Sequence, residues 1–175
     1  MAALLAGCGQ AASQTKTTTS TKSTATSGGG VTGTKNSASA PSTAQFPAVA
    51  HAADTKVAPV IGIGHQPAPS TLQIRNLVTG TGATATASST VTVNYTGTSY
   101  TSGKIFDSSW SRGTPATFPL NGVIPGFKDA IVGMKVGGRR EVVIPPSLGY
   151  GSQGSPPAIA PNETLVFVID LLKVH

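Results

Sequence analysis

The sequence predicts an α+β fold: an antiparallel sheet wrapped over one short helix and preceded by a long disordered tail. Three observations lead there. Eight of the nine aromatic residues, all but Phe46, follow residue 90, as do most of the Val, Ile and Leu residues. One core is therefore expected, built from about a hundred C-terminal residues, a usual size for a small domain. Within that region several short segments alternate apolar and polar side chains, which is the strand signature, and a single segment carries helical spacing. By contrast, residues 9–45 are nearly all Thr, Ser, Ala, Gly and Lys, with Val31 the one large aliphatic. Such a stretch cannot bury enough apolar surface to offset the entropy of ordering it.

The elements follow in order. Pro59, Pro67 and Pro69 punctuate the approach to the domain. Residues 71–78 (TLQIRNLV) alternate and read as a strand, closed by the turn signal Gly80-Thr81-Gly82. Residues 90–96 (TVTVNYT) place Val91, Val93 and Tyr95 on one face, the pattern of a half-buried antiparallel strand. Short strands are expected at 104–107 (KIFD) and 116–120 (ATFPL). Pro125 suits a first helical position and Gly133 a helix stop. Between them Phe127, Ala130 and Ile131 form one apolar stripe over about two turns. Residues 138–144 (GRREVVI) form the next strand, halted by Pro145-Pro146, and a Gly/Pro/Ser loop spans 147–162. The last strand, 164–174 (TLVFVIDLLKV), is almost continuously apolar, so it is expected at the centre of the sheet and covered on both faces. Many strands with one short helix make the α+β class. The domain organisation is 1–8 as a truncated signal-like segment, 9–69 as disordered linker and 70–175 as the folded domain.

Composition excludes several kinds of chemistry. The net charge of +6 divides evenly between the two halves, and no basic stripe is interleaved with aromatics, so a nucleic-acid partner is not expected. The single cysteine, Cys8, allows neither a disulfide framework nor a thiolate metal cage. The three histidines are His51, His65 and His175, two in the linker and one at the last position. The domain thus lacks a histidine base, a histidine metal ligand and a Ser-His-Asp triad. No metal and no cofactor are expected.

At the N-terminus, Leu5-Ala6-Gly7-Cys8 resembles a bacterial lipobox, in which the cysteine receives lipid after cleavage. An apolar run precedes it and a Ser/Thr/Gly tether follows. The run is shorter than a secretory signal and has no basic residue before it, so the true start is expected upstream of Met1. Lipid on Cys8 would make the chain an extracytoplasmic, membrane-anchored lipoprotein; the alternative is a cytoplasmic protein. Residues 9–65 would then act as a flexible tether spanning about 40–45 Å, with four lysines weakly favouring anionic headgroups. A tethered monomer is the default.

The blocks VNYTG (93–97), GKIFDSS (103–109), VIPGF (123–127), GMKVGGRR (133–140), IPPSLGYG (144–151) and APNETLVFVIDLL (160–172) together resemble the FKBP-type peptidyl-prolyl cis-trans isomerases. They run in family order with family spacing and cover essentially all of 71–175. The resemblance implies a half-open antiparallel sheet curved around one short helix. It implies a pocket formed by Tyr95, Phe106, Asp107, Val123, Ile124, Phe127, Tyr150, Ile159 and Phe167, with Arg112 as the basic residue nearby. Asp107, Tyr150 and Phe106 would be catalytic. Phe127 would form the floor under the proline ring, while the Tyr150 hydroxyl and the Ile124 N–H would bind substrate carbonyls. Proline-containing polypeptides are the implied substrates, and rapamycin-like macrolides are implied ligands.

There are departures from the family pattern. Phe127 replaces a frequent Trp, Ala116 stands where many members have an aromatic wall, the loop at Asn121-Gly122 is short, and Ser155 replaces a loop histidine found in some members. These bear on substrate preference and drug affinity more than on activity. Outside the implied pocket, Phe118 is expected in the core, Tyr100 and Trp110 on a loop contact surface, and Arg139-Arg140 solvated on a strand edge.

These residues suit bond rotation. The barrier to turning an Xaa-Pro amide is about 18–20 kcal/mol, because resonance must be lost. No bond to a heavy atom breaks, so neither nucleophile nor metal is required. A thousandfold acceleration needs about 4 kcal/mol, which an apolar pocket with a few directed hydrogen bonds can supply by favouring the twisted amide over the planar one. The leading reading is a catalyst assisting the folding of exported proteins. Its competitor is a binding module that keeps the fold and holds a proline-containing partner. A chaperone without isomerase dependence is disfavoured, since the short 150–164 loop leaves no room for an inserted flap domain.

Overall fold

The computed structural model describes residues 45–65 and 67–175. Cys8, the lipobox-like segment and most of the tether lie outside the described residues. The elements are β1 (Val49–Ala50), β2 (Val60–Ile61), β3 (Gln73–Val78), β4 (Thr90–Ser99), β5 (Ile105–Ser108), β6 (Ala116–Pro119), α1 (Pro125–Ile131), β7 (Arg139–Ile144) and β8 (Leu165–Val174). The strands and the helix expected after residue 70 are all present, displaced by no more than a few residues at their ends.

The main sheet is antiparallel, in the order β3-β7-β8-β4-β5. On its free side β4 pairs with β6 over Thr90–Val93 and with β5 over Thr96–Thr98. Neither short strand reaches Tyr95. Ser109 fills the gap: its N–H donates to the Tyr95 carbonyl at 3.0 Å, and its hydroxyl accepts the Tyr95 N–H at 2.9 Å. This split edge lets the sheet bend around α1. The helix begins at Pro125, whose ring cannot donate the N–H that a first turn would leave unused. It buries Phe127, Ala130 and Ile131 against Val142 and Ile144 of β7 and Leu165, Phe167 and Ile169 of β8.

As its apolar run predicts, β8 is central and covered on both faces. The helix covers one face. The second cover is the segment before the predicted domain start. Residues 45–65, read from composition as the end of the linker, carry the hairpin β1–β2, with Val49 opposite Ile61 and Ala50 opposite Val60. Ile61, with Phe46 and Val49 beside it, packs on Val143, Val166 and Val168 and on Tyr100. The polar run dominates the composition of 9–69 and hides the apolar residues that follow it.

Side chains of the sheet hold this strap mainly through its backbone carbonyls. The Tyr100 hydroxyl donates to Gln45 and His65 at 3.1 and 2.7 Å. Arg139 donates to His51 and Val57 at 2.5 and 2.9 Å and to both oxygens of Asp170 at 2.5 and 2.8 Å. Arg75 pairs with Glu141, donates to the Pro47 carbonyl and lies over the Phe46 ring, 4.7 Å from its centre. At Gly64 the Tyr100 ring lies so close that a Cβ would sit 2.3 Å from it, so no larger residue fits without displacement.

Two expectations are corrected here. Tyr100 is fully buried under the strap and is no surface for contacts. Arg139 is also fully buried, because β7 is an inner strand and the strap closes over its outer face. Burial raises the pKa of Asp170, and the Arg139 guanidinium opposes that rise. Burial likewise raises that of Glu141 against the pull of Arg75.

Candidate active site

Four rings build an apolar floor on the inner face of the sheet. Phe127 of α1 meets Phe167 of β8 edge-on at 5.1 Å between centres, and Phe167 meets Phe106 of β5 at 5.4 Å. Tyr95 of β4 closes the group at 5.9 Å from Phe127 and 6.2 Å from Phe167. Edge-to-face contacts of this kind align ring edges with ring faces and fix their orientation. Phe118 of β6, expected in the core, packs against Phe127 at 5.6 Å and is part-buried. Val123, Ile124 and Ile159 are buried in the same cluster, and Tyr150 packs against it. The candidate residues that are scattered along the chain are thus gathered on one side of the sheet.

The geometry depends on a glycine. Gly97 lies opposite Phe167 on one neighbouring strand and opposite Asp107 on the other. A Cβ at Gly97 would fall 2.7 Å from the Phe167 ring and 2.8 Å from the Phe106 ring. Phe106 and Phe167 meet across β4 because nothing stands between them. Gly97 falls inside the VNYTG block, but its role is a matter of packing that the sequence does not display. Ser109 is a second residue given no role by sequence reasoning. It is fully buried, and its hydroxyl, besides accepting the Tyr95 N–H, donates to Asn94 Oδ1 at 3.0 Å.

Polar groups stand at the rim of this floor. The Tyr95 hydroxyl donates to Asp107 Oδ2 at 2.5 Å. Arg112 pairs with Asp107 Oδ1 and also donates to the Tyr95 oxygen at 3.0 Å. The three groups form a closed triangle in which each carboxylate oxygen has a donor, and Arg112 is an ion-pair partner that the sequence order alone does not reveal. Burial, then the hydrogen bond to Asp107, pushes the Tyr95 hydroxyl well above the usual tyrosine range. Tyr150 differs. Its hydroxyl is buried and has no hydrogen-bond partner among the described residues. Burial, then the nearby charge of Asp107, raises its pKa to about 12. A buried hydroxyl without a partner costs free energy on the order of 1–3 kcal/mol, so this donor is poised for an acceptor from outside. The N–H of Ile124, the residue before α1, likewise has no acceptor among the described residues.

Comparison with known proteins agrees with this arrangement. The model of the FKBP-type peptidyl-prolyl cis-trans isomerase family matches residues 82–172. A probable FK506-binding protein of Corynebacterium glutamicum is 46% identical over 115 residues, which is 66% of this chain and 97% of that protein. The peptidyl-prolyl cis-trans isomerase Mip of Coxiella burnetii is 48% identical over 103 residues, 59% of this chain and 44% of its own length. Among solved structures, FkpA from Escherichia coli superposes with a TM-score of 0.57 at 42% identity, over 63% of this chain and 52% of that one.

Proposed function

The chain belongs to the FKBP-type peptidyl-prolyl cis-trans isomerases, and we propose that it accelerates rotation about Xaa-Pro bonds in the pocket floored by Phe127 and rimmed by Asp107 and Tyr150. The observation that carries the proposal is the Tyr150 hydroxyl: a buried donor, unpartnered among the described residues, beside a four-ring apolar floor. The proline ring packs on Phe127 and Phe167, with Phe106 and Tyr95 as walls and Val123, Ile124 and Ile159 closing the sides. The Tyr150 hydroxyl and the Ile124 N–H donate to carbonyls of the bound peptide and hold its ends in register. Rotation carries the amide from a planar, charge-separated state to a twisted one with less charge on oxygen and nitrogen. An apolar site disfavours the first relative to the second, which is differential binding of the transition state. Asp107 lies beside the turning bond, and Arg112 and Tyr95 fix its carboxylate in place. No proton needs to move, so the Tyr150 hydroxyl serves as a fixed donor across the physiological range.

The Asp107→Ala variant tests this reading. A fall in isomerase activity while affinity for an Xaa-Pro peptide holds supports catalysis. Equal acceleration by the variant and the parent would remove Asp107 from the mechanism, and a parent that binds the peptide without accelerating its exchange would leave a binding module that holds a proline-containing partner. Macrolides of the rapamycin type are expected to occupy the same apolar floor, with affinity altered by Phe127, by Ala116 in place of an aromatic wall and by the short 121–122 turn.

A finer reading concerns place and clients. The lipobox-like Leu5-Ala6-Gly7-Cys8 and the Ser/Thr/Gly run after it support a lipid-anchored, extracytoplasmic monomer that acts on exported proteins near a membrane. Metabolic lipid labelling of Cys8 checks it, and absence of label in cells expressing the full upstream frame overturns it.

A further inference from the structure

Four arginines lie among the described residues, and three of them pair with carboxylates: Arg75 with Glu141, Arg112 with Asp107 and Arg139 with Asp170. Arg140 has no carboxylate partner there. It is also not loose. Its Nε donates to Asn76 Oδ1 at 2.7 Å and its Nη1 to the Ala130 carbonyl at 2.6 Å, so the guanidinium is held between β3 and the C-terminal end of α1. These dipolar partners orient the group without cancelling its charge. Burial lowers its pKa, the sign of a cation that has lost water and gained no counter-ion. Nη2 has no protein acceptor among the described residues.

This guanidinium lines a cleft of about 150 Å³, on the helix-bearing face at the end of the sheet where β3 and β7 meet the 133–138 turn. Lys135 lines it too, as do Thr79, Gly80 and Gly138, and no acidic residue does. The glycines leave backbone rather than side chains at the wall, and the volume suits a phosphate-sized group with a few atoms attached. Two cations, one of them immobilised with a free N–H pair, and no facing carboxylate form an arrangement that attracts a small oxyanion. The cleft lies at the opposite end of α1 from Ile124 and the proline pocket, and the isomerase reaction makes no use of it.

We infer that the Arg140–Lys135 cleft is a binding site for a phosphate-class oxyanion, separate from the isomerase pocket. Two sources share that chemistry, free phosphate and a phosphorylated headgroup, and the experiment separates them. The full chain, labelled with ¹⁵N, is titrated with inorganic phosphate and with glycerol 3-phosphate, each against sodium chloride at equal ionic strength. Saturable shifts at the Arg140 Nε–H and the Gly80 and Gly138 amides, absent with chloride, are expected. Tighter binding of glycerol 3-phosphate assigns a headgroup, and equal or tighter binding of phosphate assigns the free ion. Arg140→Gln is expected to weaken binding about tenfold or more, the loss of one charge-assisted hydrogen bond, and to leave isomerase activity unchanged. Lys135→Gln, at an exposed position outside every ion pair, guards against a folding defect and is expected to weaken binding severalfold. Shifts that are equally large with chloride, or that persist in both variants, would overturn the inference.

Discussion

Tyr95 donates its phenolic hydrogen to Asp107 Oδ2 at 2.5 Å, and the two residues sit on neighbouring strands that are not directly paired at that position. The carboxylate beside the proposed bond rotation is therefore aimed by an aromatic wall of the same pocket. Tyr95→Phe keeps the wall and removes the aim. Its expected effect is a loss of about three- to tenfold in kcat/KM for an Xaa-Pro peptide, the worth of one hydrogen bond, carried mainly by kcat. An unchanged kcat would show that Arg112 positions Asp107 unaided.

Tyr150→Phe removes the unpartnered donor but keeps the ring. Activity is expected to fall about five- to thirtyfold, and the folded protein is expected to become slightly more stable, because an unsatisfied buried hydroxyl disappears. Coupled kinetics and urea unfolding on one preparation check both halves of the prediction.

The same hydroxyl sets an alkaline limit. Its pKa in the fold is about 12, raised by burial and by Asp107, against about 10 in an unfolded chain. The folded state therefore holds its proton where the unfolded state has released it. Stability is unaffected by this ionisation below pH 10 and falls as pH rises from 10 toward 12, where the unfolded chain ionises and the buried hydroxyl resists doing so. Unfolding midpoints should be flat with respect to this group up to pH 9 and should fall beyond pH 10, less steeply in Tyr150→Phe. A variant that falls as steeply as the parent would contradict the assignment.

Gly97→Ala forces a methyl group between Phe106 and Phe167. Overpacking of this kind costs about 1–3 kcal/mol, and the displaced rings form the pocket floor. Both the thermal midpoint and the affinity for peptide should drop together.

The strap offers a separate test. A fragment starting at residue 70 uncovers Val143, Val166, Val168 and Tyr100 and strips the carbonyl partners from Arg139. It should be less stable than a fragment starting at residue 45 by about 3–5 kcal/mol. Within the buried pair, Asp170→Asn leaves the Arg139 charge uncompensated and should cost about 3–5 kcal/mol, more than the Arg139→Met/Asp170→Leu double replacement.

Much of this is legible in the sequence. The alternation at 90–96 fixed the face of Tyr95, and Pro125 and Gly133 bounded the helix, because those signals are local. The pocket residues came from six collinear motif blocks. The apolar run of β8 required cover on both faces, and that requirement already implied a second layer. Its source is hidden because Phe46, Val49 and Ile61 are few and follow the polar and small residues of 9–45, so composition averages them away. The burial of Arg139 is hidden for a related reason: strand order is a non-local property, and an arginine on an inner strand looks in sequence like one on an edge. The roles of Gly97 and Ser109 are contacts across the sheet, which no single segment records.

The central claim is that this pocket accelerates Xaa-Pro rotation. Two-dimensional NMR exchange between cis and trans forms of a short Xaa-Pro peptide, with the full chain and with or without rapamycin, tests it most directly. Without a catalyst, exchange takes tens to hundreds of seconds. The account predicts exchange far faster than that, suppressed by the macrolide. Peptide that binds the pocket while still exchanging at its uncatalysed rate would contradict it.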